Sequence, residues 1–297
     1  MVKVAVPLFF MITGALLLPK VETLSVLFRK RIFRFVFVIL AFQIIQHAYG
    51  HFSSREAFSY SDFLYDVLIG KSAALATWFL YAYLAVLLLL PLLRILAQNM
   101  STQHFVYLFA LHLFLTSFIP LNNTLQNWLV LSNYINGQNV FVYLFAGYFI
   151  ENRLPHIRVN KSHFGVLIVG SFFSVLLGAA LCEFARRFSH LDSYNQWIPC
   201  FQGCVFIPCL TIFLIAQRLN PTFSRHQFFC RIVSTLAGAV FSLMLVENIL
   251  RRFASGVCKQ LVDSEAIAGV LALATVYLIG FSLGILLKKL PIIGKYV

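Results

Sequence analysis

Charge is the scarcest property of this sequence: 11% of the 297 residues are Asp, Glu, Lys or Arg, and only ten residues are acids. A soluble domain carries about one quarter charged residues. With 60% hydrophobic residues and a mean hydropathy of +0.85, the soluble globular classes are excluded. The six cysteines, Cys182, Cys200, Cys204, Cys209, Cys230 and Cys258, form no C-x-x-C pair, which removes the usual metal and dithiol frameworks. Several fall in apolar segments, where cysteine acts as a small hydrophobe, and no metal site is expected. A Walker loop and a G-x-G-x-x-G string are both missing, so ATP-driven pumping and a dinucleotide fold are excluded. Alternating strands are missing too. The apolar runs are too long and uniform for a barrel, and open sheet edges cannot be satisfied in lipid.

What is present is a series of apolar runs of the length a bilayer requires, about 20 residues for a hydrocarbon core of roughly 30 Å. Nine candidate spans run approximately 4–19, 31–49, 74–97, 103–119, 138–152, 163–186, 198–217, 231–249 and 265–288. The connections are short, and no internal repeat, low-complexity tract or linker separates them. The sequence therefore predicts one all-α domain over residues 1–297, a polytopic transmembrane helix bundle of about nine spans.

Basic residues mark the sides. One alternate set of connections holds Lys20, Arg29, Lys30, Arg31, Arg34, Arg94, Arg153, Arg158, Lys161, Arg218, Arg225, Arg231, Lys288, Lys289 and Lys295, which is 15 of the 23 Lys and Arg, with Glu22 and Glu151 as its acids. Cytoplasmic loops retain Lys and Arg, so this side is expected inside, with the C-terminus cytoplasmic and the N-terminus outside. The formal net charge of +13 is spread over five connections, so lipid topology explains it and no nucleic-acid partner is expected.

The opening VPLFFMITGALLLPK lacks the small-residue cleavage pattern of a signal peptide, and the basic run Arg29 to Arg34 behaves as a stop-transfer flank. The first segment is expected to span. An N-terminus that crosses outward with nothing ahead of it points to one more helix in front.

Taken in order, VPLFFMITGALLL, LFRKRIFRF, TWFLYAYLAVLLLLPLLR, NVFVYLFAGYFIENR, VFSLMLVENILRR and KLPIIGKYV resemble the successive signatures of the acyltransferase-3 family of bacterial integral-membrane acyltransferases. The resemblance covers residues 4–297. It implies a membrane core that moves an acyl group, acetyl or succinyl, from acyl-CoA (acetyl-CoA or succinyl-CoA) as co-substrate to a sugar hydroxyl. The implied acceptor is a cell-surface polysaccharide or envelope glycolipid, and the implied location is the bacterial cytoplasmic (inner) membrane. No bound cofactor is implied. In such proteins a basic residue and a general-base His eleven positions later lie on a first helix, and an FFxxSG-like motif opens the second. Here Phe9, Phe10, Thr13 and Gly14 match that motif, with Thr for Ser, at the very start, so the chain resembles a member without its first helix. Without that His, a sugar hydroxyl is a poor nucleophile and little transfer by this chain alone is expected.

Arg31 and Arg34 are three residues apart at the start of a helix, a spacing that lets two guanidinium groups share a face and clamp phosphates. By spacing alone they are equally a topological anchor. The resemblance, through its R-x-x-R signature, implies that they bind the phosphates of acyl-CoA, with Phe9, Phe10, Thr13 and Gly14 on the same donor side. Glu247 stands where the family pattern has His or Glu and is the candidate catalytic residue. The alternative is an ion pair with Arg251 four residues on, and Ser242 and Met244 depart from the family's Gly and Tyr. The eight histidines, including His47, His51 and His112, read as interfacial or packed. The stretch with Asn122, Asn123, Gln126, Asn127, Trp128, Asn133, Tyr134 and Asn136 offers neutral donors and an aromatic face to an acceptor sugar, or packs as a re-entrant segment. The competing function is a non-enzymatic transporter or flippase of an envelope lipid or sugar precursor, which a basic inner face also suits.

Overall fold

The computed structural model of the chain describes residues 4–54, 59–61, 64–65, 77–124, 140–154, 161–188, 197–223, 227–261 and 264–289. Among them the fold is all-helical, with no strand. The long helices are α1 (Ala5–Leu17), α3 (Phe33–Ser54), α4 (Thr77–Asn99), α5 (Thr102–Thr124), α6 (Val140–Asn152), α7 (Lys161–Phe188), α8 (Trp197–Phe223), α9 (Gln227–Leu261) and α10 (Glu265–Lys289). A short α2 (Leu24–Leu27) runs through a π-helical turn, Phe28–Ile32, into α3. Each of the nine expected apolar segments carries one long helix, because apolar runs leave the backbone no hydrogen-bond partners except its own. Pro19, which cannot donate a helical hydrogen bond, follows the end of α1, while Leu18 before it keeps helical dihedrals (φ −69°, ψ −35°) and bonds back to Gly14 O.

Two helices are long and apolar enough to cross a membrane among the described residues, Phe79–Asn99 in α4 and Ile267–Leu286 in α10. Ala5–Leu17, Val140–Asn152, Phe164–Ala180 and Gly203–Leu219 are apolar but shorter. The clearest departure from the sequence reading is α9. It was expected over 231–249 and instead runs for 35 residues, about 52 Å at 1.5 Å per residue. Arg251, Arg252 and Lys259 look like a connection in sequence but belong to the helix. The reason is that Leu250, Ala254 and Cys258, at helical spacing, still pack inward against Ala268, Ala272 and Val276, so the charged positions between them do not end the helix.

Contacts divide the chain into two compact units, residues 1–21 with 89–220 and residues 22–88 with 221–297, so α4 gives its first half to the second unit and its remainder to the first. In the first unit α1 crosses α6 without a gap. A Cβ added at Gly14 would fall on the carbonyl oxygen of Leu144, and one at Gly147 on that of Met11. The pairing 14 with 144 and 11 with 147 makes the crossing antiparallel. Around it, Phe105, Phe109, Tyr148, Phe149 and Phe206 form an aromatic cluster joining α5, α6 and α8. Ser174 Oγ on α7 donates to the Cys204 carbonyl of α8 at 2.8 Å, and the Ser171 and Thr211 hydroxyls meet at 2.6 Å, the polar joints that apolar bundles use between helices.

One end of this unit is stitched by side chains reaching helix C-terminal carbonyls. Arg94 Nε donates to Leu17 O at 2.9 Å, and Gln98 Nε2 to Leu18 O at 3.3 Å. Arg153 Nη2 donates to Gln98 O at 3.1 Å, and Gln217 Nε2 to Ile150 O at 3.4 Å and to the Glu151 carboxylate at 2.9 Å. A cation at a helix C-terminus satisfies orphan carbonyls and meets the negative end of the dipole. Arg94 and Arg153 belong to the larger basic set of the sequence, so these two cations also serve as joints.

In the second unit α9 and α10 form an antiparallel hairpin. Gly280 faces Leu243, and Gly284 faces Ala239, where an added Cβ would lie 2.9 Å from the Ala239 Cβ. Ala268, Ala272, Val276, Gly280 and Gly284 repeat strictly every four residues, a row of small or short side chains that lets two helices approach closely.

Candidate functional site

Phe9, Phe10, Thr13 and Gly14 lie on α1 in the first unit. Phe10 and Thr13 are buried, the Thr13 hydroxyl donates to its own helix at Phe9 O, 2.9 Å away, and Gly14 is covered by Leu144. Phe10, Thr13 and Gly14 are therefore packed against protein, and Phe9 is half-buried. Glycine at 14 is required by the helix crossing itself.

Arg31 and Arg34 lie in the second unit, across the junction of the π-helical turn and α3. A π turn carries an extra residue, which rotates the side chains before it relative to those after it. Arg34 is exposed, and Arg31 is 29% exposed. Arg31 is held by Glu22: Nη2 donates to Oε1 at 2.7 Å and Nε to Oε2 at 3.2 Å. This is a side-on bidentate pair, the strong geometry for guanidinium and carboxylate. Glu22 reaches it from the extended segment before α2, where Thr23 has ψ 153°. Behind the turn, Phe35 of α3 meets Tyr83 of α4 at 4.8 Å between ring centroids, and Tyr83 stacks over Phe79 at 6.3 Å. Tyr83 is within electrostatic reach of Arg31. Leu27 and Ile32 are buried on either side of the basic run and anchor it from below.

Glu247 sits in the middle of α9, exposed, with Arg251 also exposed four residues on, and no ion pair joins the two. Arg31 takes its carboxylate from Glu22, not Glu247. His112 on α5 is 2% exposed, with the rings of Tyr143 and Phe206 at 5.4 and 5.0 Å. Among the described residues neither ring nitrogen has a hydrogen-bond partner. The side chains of His47 and His51, and the acceptor candidates Gln126, Asn127, Trp128, Asn133, Tyr134 and Asn136, lie outside the described residues, as do the side chains of Asn122 and Asn123.

Sequence reasoning missed Glu22. A signal was present: Glu22 and Glu151 are the only acids among fifteen cations of the larger basic set, and both are engaged, Glu151 with Gln217 and Glu22 with Arg31. The resulting site is an oriented guanidinium with a second, exposed arginine three residues on and aromatic rings beside it. Chemically it suits an anionic oxygen next to an apolar or planar group.

Compared with known protein families, residues 1–289 match the acyltransferase-3 family model, described as an acyltransferase domain. No curated protein and no solved structure matches the chain.

Proposed function

From the premise that this chain belongs to the acyltransferase-3 family, we propose that it is a membrane-bound O-acyltransferase. It would take acetyl or succinyl from acyl-CoA to a sugar hydroxyl of a cell-surface polysaccharide or envelope glycoconjugate. The chain would form a bundle of about nine spans in the bacterial cytoplasmic membrane, with the C-terminus and the arginine turn on the cytoplasmic side, where acyl-CoA is found. The observation that carries the reading is the arginine turn: Arg31 is oriented by a bidentate carboxylate and Arg34 is exposed beside it, in a basic run suited to a diphosphate and a 3′-phosphate.

In the reaction, the acceptor hydroxyl oxygen attacks the thioester carbonyl carbon and the carbon–sulfur bond breaks. Coenzyme A leaves as the thiolate and takes up a proton, and the acceptor loses one. Arg31 and Arg34 hold phosphates remote from the reacting carbon, so their contribution is binding and orientation of the donor. Glu247 is the candidate for the proton on the acceptor side.

The test is a filter-binding and transfer assay on membranes carrying the full chain, with radiolabelled acetyl-CoA and succinyl-CoA. The expected result is saturable donor binding that Arg31→Ala and Arg34→Ala each weaken and that Lys20→Ala, an exposed cation of the same connection, leaves intact. Label in the polysaccharide or glycolipid fraction identifies the acceptor. Equal binding in all three variants would return the arginines to a topological role, and movement of an unacylated precursor without label transfer would favour a carrier.

A further inference from the structure

We propose that Glu22 is a positioning residue for the acyl donor, which fixes the Arg31 guanidinium side-on so that its end-on fork is presented to a phosphate oxygen. The inference rests on the donor-binding reading of Arg31 above. A guanidinium has five N–H groups, and Glu22 accepts from Nε and from one hydrogen of Nη2. The Nη1 pair and the second Nη2 hydrogen make no hydrogen bond to any described residue. The second Nη2 hydrogen and one Nη1 hydrogen form the end-on edge of the plane, adjacent to the side-on edge that Glu22 occupies, a second fork that fits two oxygens of one phosphate. An arginine can therefore hold the carboxylate and a phosphate at once, one on each edge.

Three further observations favour holding over competition. Glu22 is the less exposed partner, 20% against 29% for Arg31, so an anion arriving from outside meets the guanidinium before the carboxylate. Leu27, between Glu22 and Arg31 in sequence, is buried, as is Ile32 just past Arg31, so the segment that carries both partners is anchored and the pair is not two free side chains meeting by chance. Tyr83 and Phe35 close the side toward α4, which leaves fewer rotamers to an arginine already tied at Nε. A long arginine side chain otherwise loses its rotamer freedom when it binds a ligand, at a cost to affinity. The carboxylate removes that loss beforehand. Its negative charge opposes the phosphate, but both groups are partly solvated and the opposition is screened.

The test is isothermal titration of the full chain in lipid nanodiscs with coenzyme A, as a cycle of Glu22→Ala, Arg31→Ala and the double variant, with Glu22→Gln as the isosteric check. Positioning predicts that Glu22→Ala weakens binding by about threefold to tenfold, the scale of immobilising one mobile side chain, and that Glu22→Gln falls between it and the unaltered chain. It also predicts that Glu22→Ala adds nothing once Arg31 is alanine. Tighter or unchanged binding in Glu22→Ala, with Arg31→Ala still weak, overturns the inference and leaves the donor site standing. Equal losses in both backgrounds also overturn it, because Glu22 would then act through the fold rather than through Arg31. If coenzyme A does not bind the unaltered chain, or binds Arg31→Ala as well as it binds the unaltered chain, the donor-binding reading itself falls.

Discussion

Two helix pairs in this protein come together on glycines, and they do so differently. Where α1 crosses α6, each glycine faces backbone: Gly14 meets the Leu144 carbonyl and Gly147 the Met11 carbonyl. Where α9 lies on α10, Gly280 faces the flexible end of the Leu243 side chain, and Gly284 faces Ala239. A backbone obstacle cannot turn aside, whereas a leucine can change rotamer. The first crossing is consequently a joint with one permitted geometry, whereas the second tolerates adjustment at Gly280 but not at Gly284, where an added Cβ would lie 2.9 Å from the Ala239 Cβ and 3.0 Å from its carbonyl oxygen. The difference shows that a glycine motif read as a functional signature can be an obligation of packing, and that the chemistry must be sought where side chains remain available.

The joint is the place where the comparison should break hardest. Gly14→Ala and Gly147→Ala are each expected to cost about 3 kcal/mol or more, the upper end of overpacking penalties, because no rotamer change can relieve a Cβ pressed on a carbonyl. Thermal unfolding of the detergent-solubilised full chain measures it. A loss below about 1 kcal/mol would mean that α1 can lift from α6, and that the two pairs do not differ in kind.

Next in size is Arg94→Ala. Arg94 is buried, 7% exposed, and closes the C-terminus of α1 through Leu17 O. Removing a charged donor from a buried carbonyl costs on the order of 2 kcal/mol. α1 has 13 residues, about 20 Å, so the loss falls on the C-terminal end of a short helix whose remaining hold is its crossing with α6. The same measurement checks it, and a neutral result would make Arg94 a topological cation only. For donor-binding work Arg94 is therefore unsuitable as a silent control, and exposed Lys20 serves instead.

Much of this was legible in the sequence, for a stated reason. Helix positions were readable because an apolar run in lipid has one way to satisfy its backbone, and Ala5–Leu17, Val140–Asn152 and Glu265–Lys289 fall where hydropathy puts them. The end of α9 was not readable, because Arg251 and Lys259 resemble loop residues unless Ala254 and Cys258 are known to face a partner helix. The close approach at Gly280 and Gly284 was not read, although two small residues four apart on one helix carry a signal for it. The contact of Gly14 with Leu144 was not, since it depends on a residue 130 positions away. The pairing of Glu22 with Arg31 joins residues nine apart through an extended segment and a π turn, which follows neither helical period. Spacing therefore found the arginines without finding what orients them.

Smaller effects sharpen the other half of the comparison. Gly280→Ala should cost about 1 kcal/mol, since Leu243 can move aside. Combining it with Leu243→Ala should give a double variant more stable than the sum of the two losses, because the new Cβ fills space the leucine vacates. Additive losses would show that the row is as rigid as the joint between α1 and α6.

The smallest effect is expected at Glu247, which is exposed although it falls on the same helical stripe as the residues of α9 that meet α10. It is exposed in the middle of a 35-residue helix whose inward residues, Ala239, Leu243, Leu250, Ala254 and Cys258, carry the contact with α10. Glu247→Gln should change stability by less than about 0.5 kcal/mol, as for surface positions without partners. It should also leave coenzyme A affinity untouched, because Arg31 is held by Glu22 and not by Glu247. These two null results make the variant a clean probe of chemistry. If Glu247 takes the acceptor's proton, label transfer in the membrane assay falls by about a hundredfold or more while binding and stability hold, a pattern that no packing role can produce. If transfer is also unchanged, Glu247 is an ordinary surface residue of α9, and the acceptor's base must be sought on another helix.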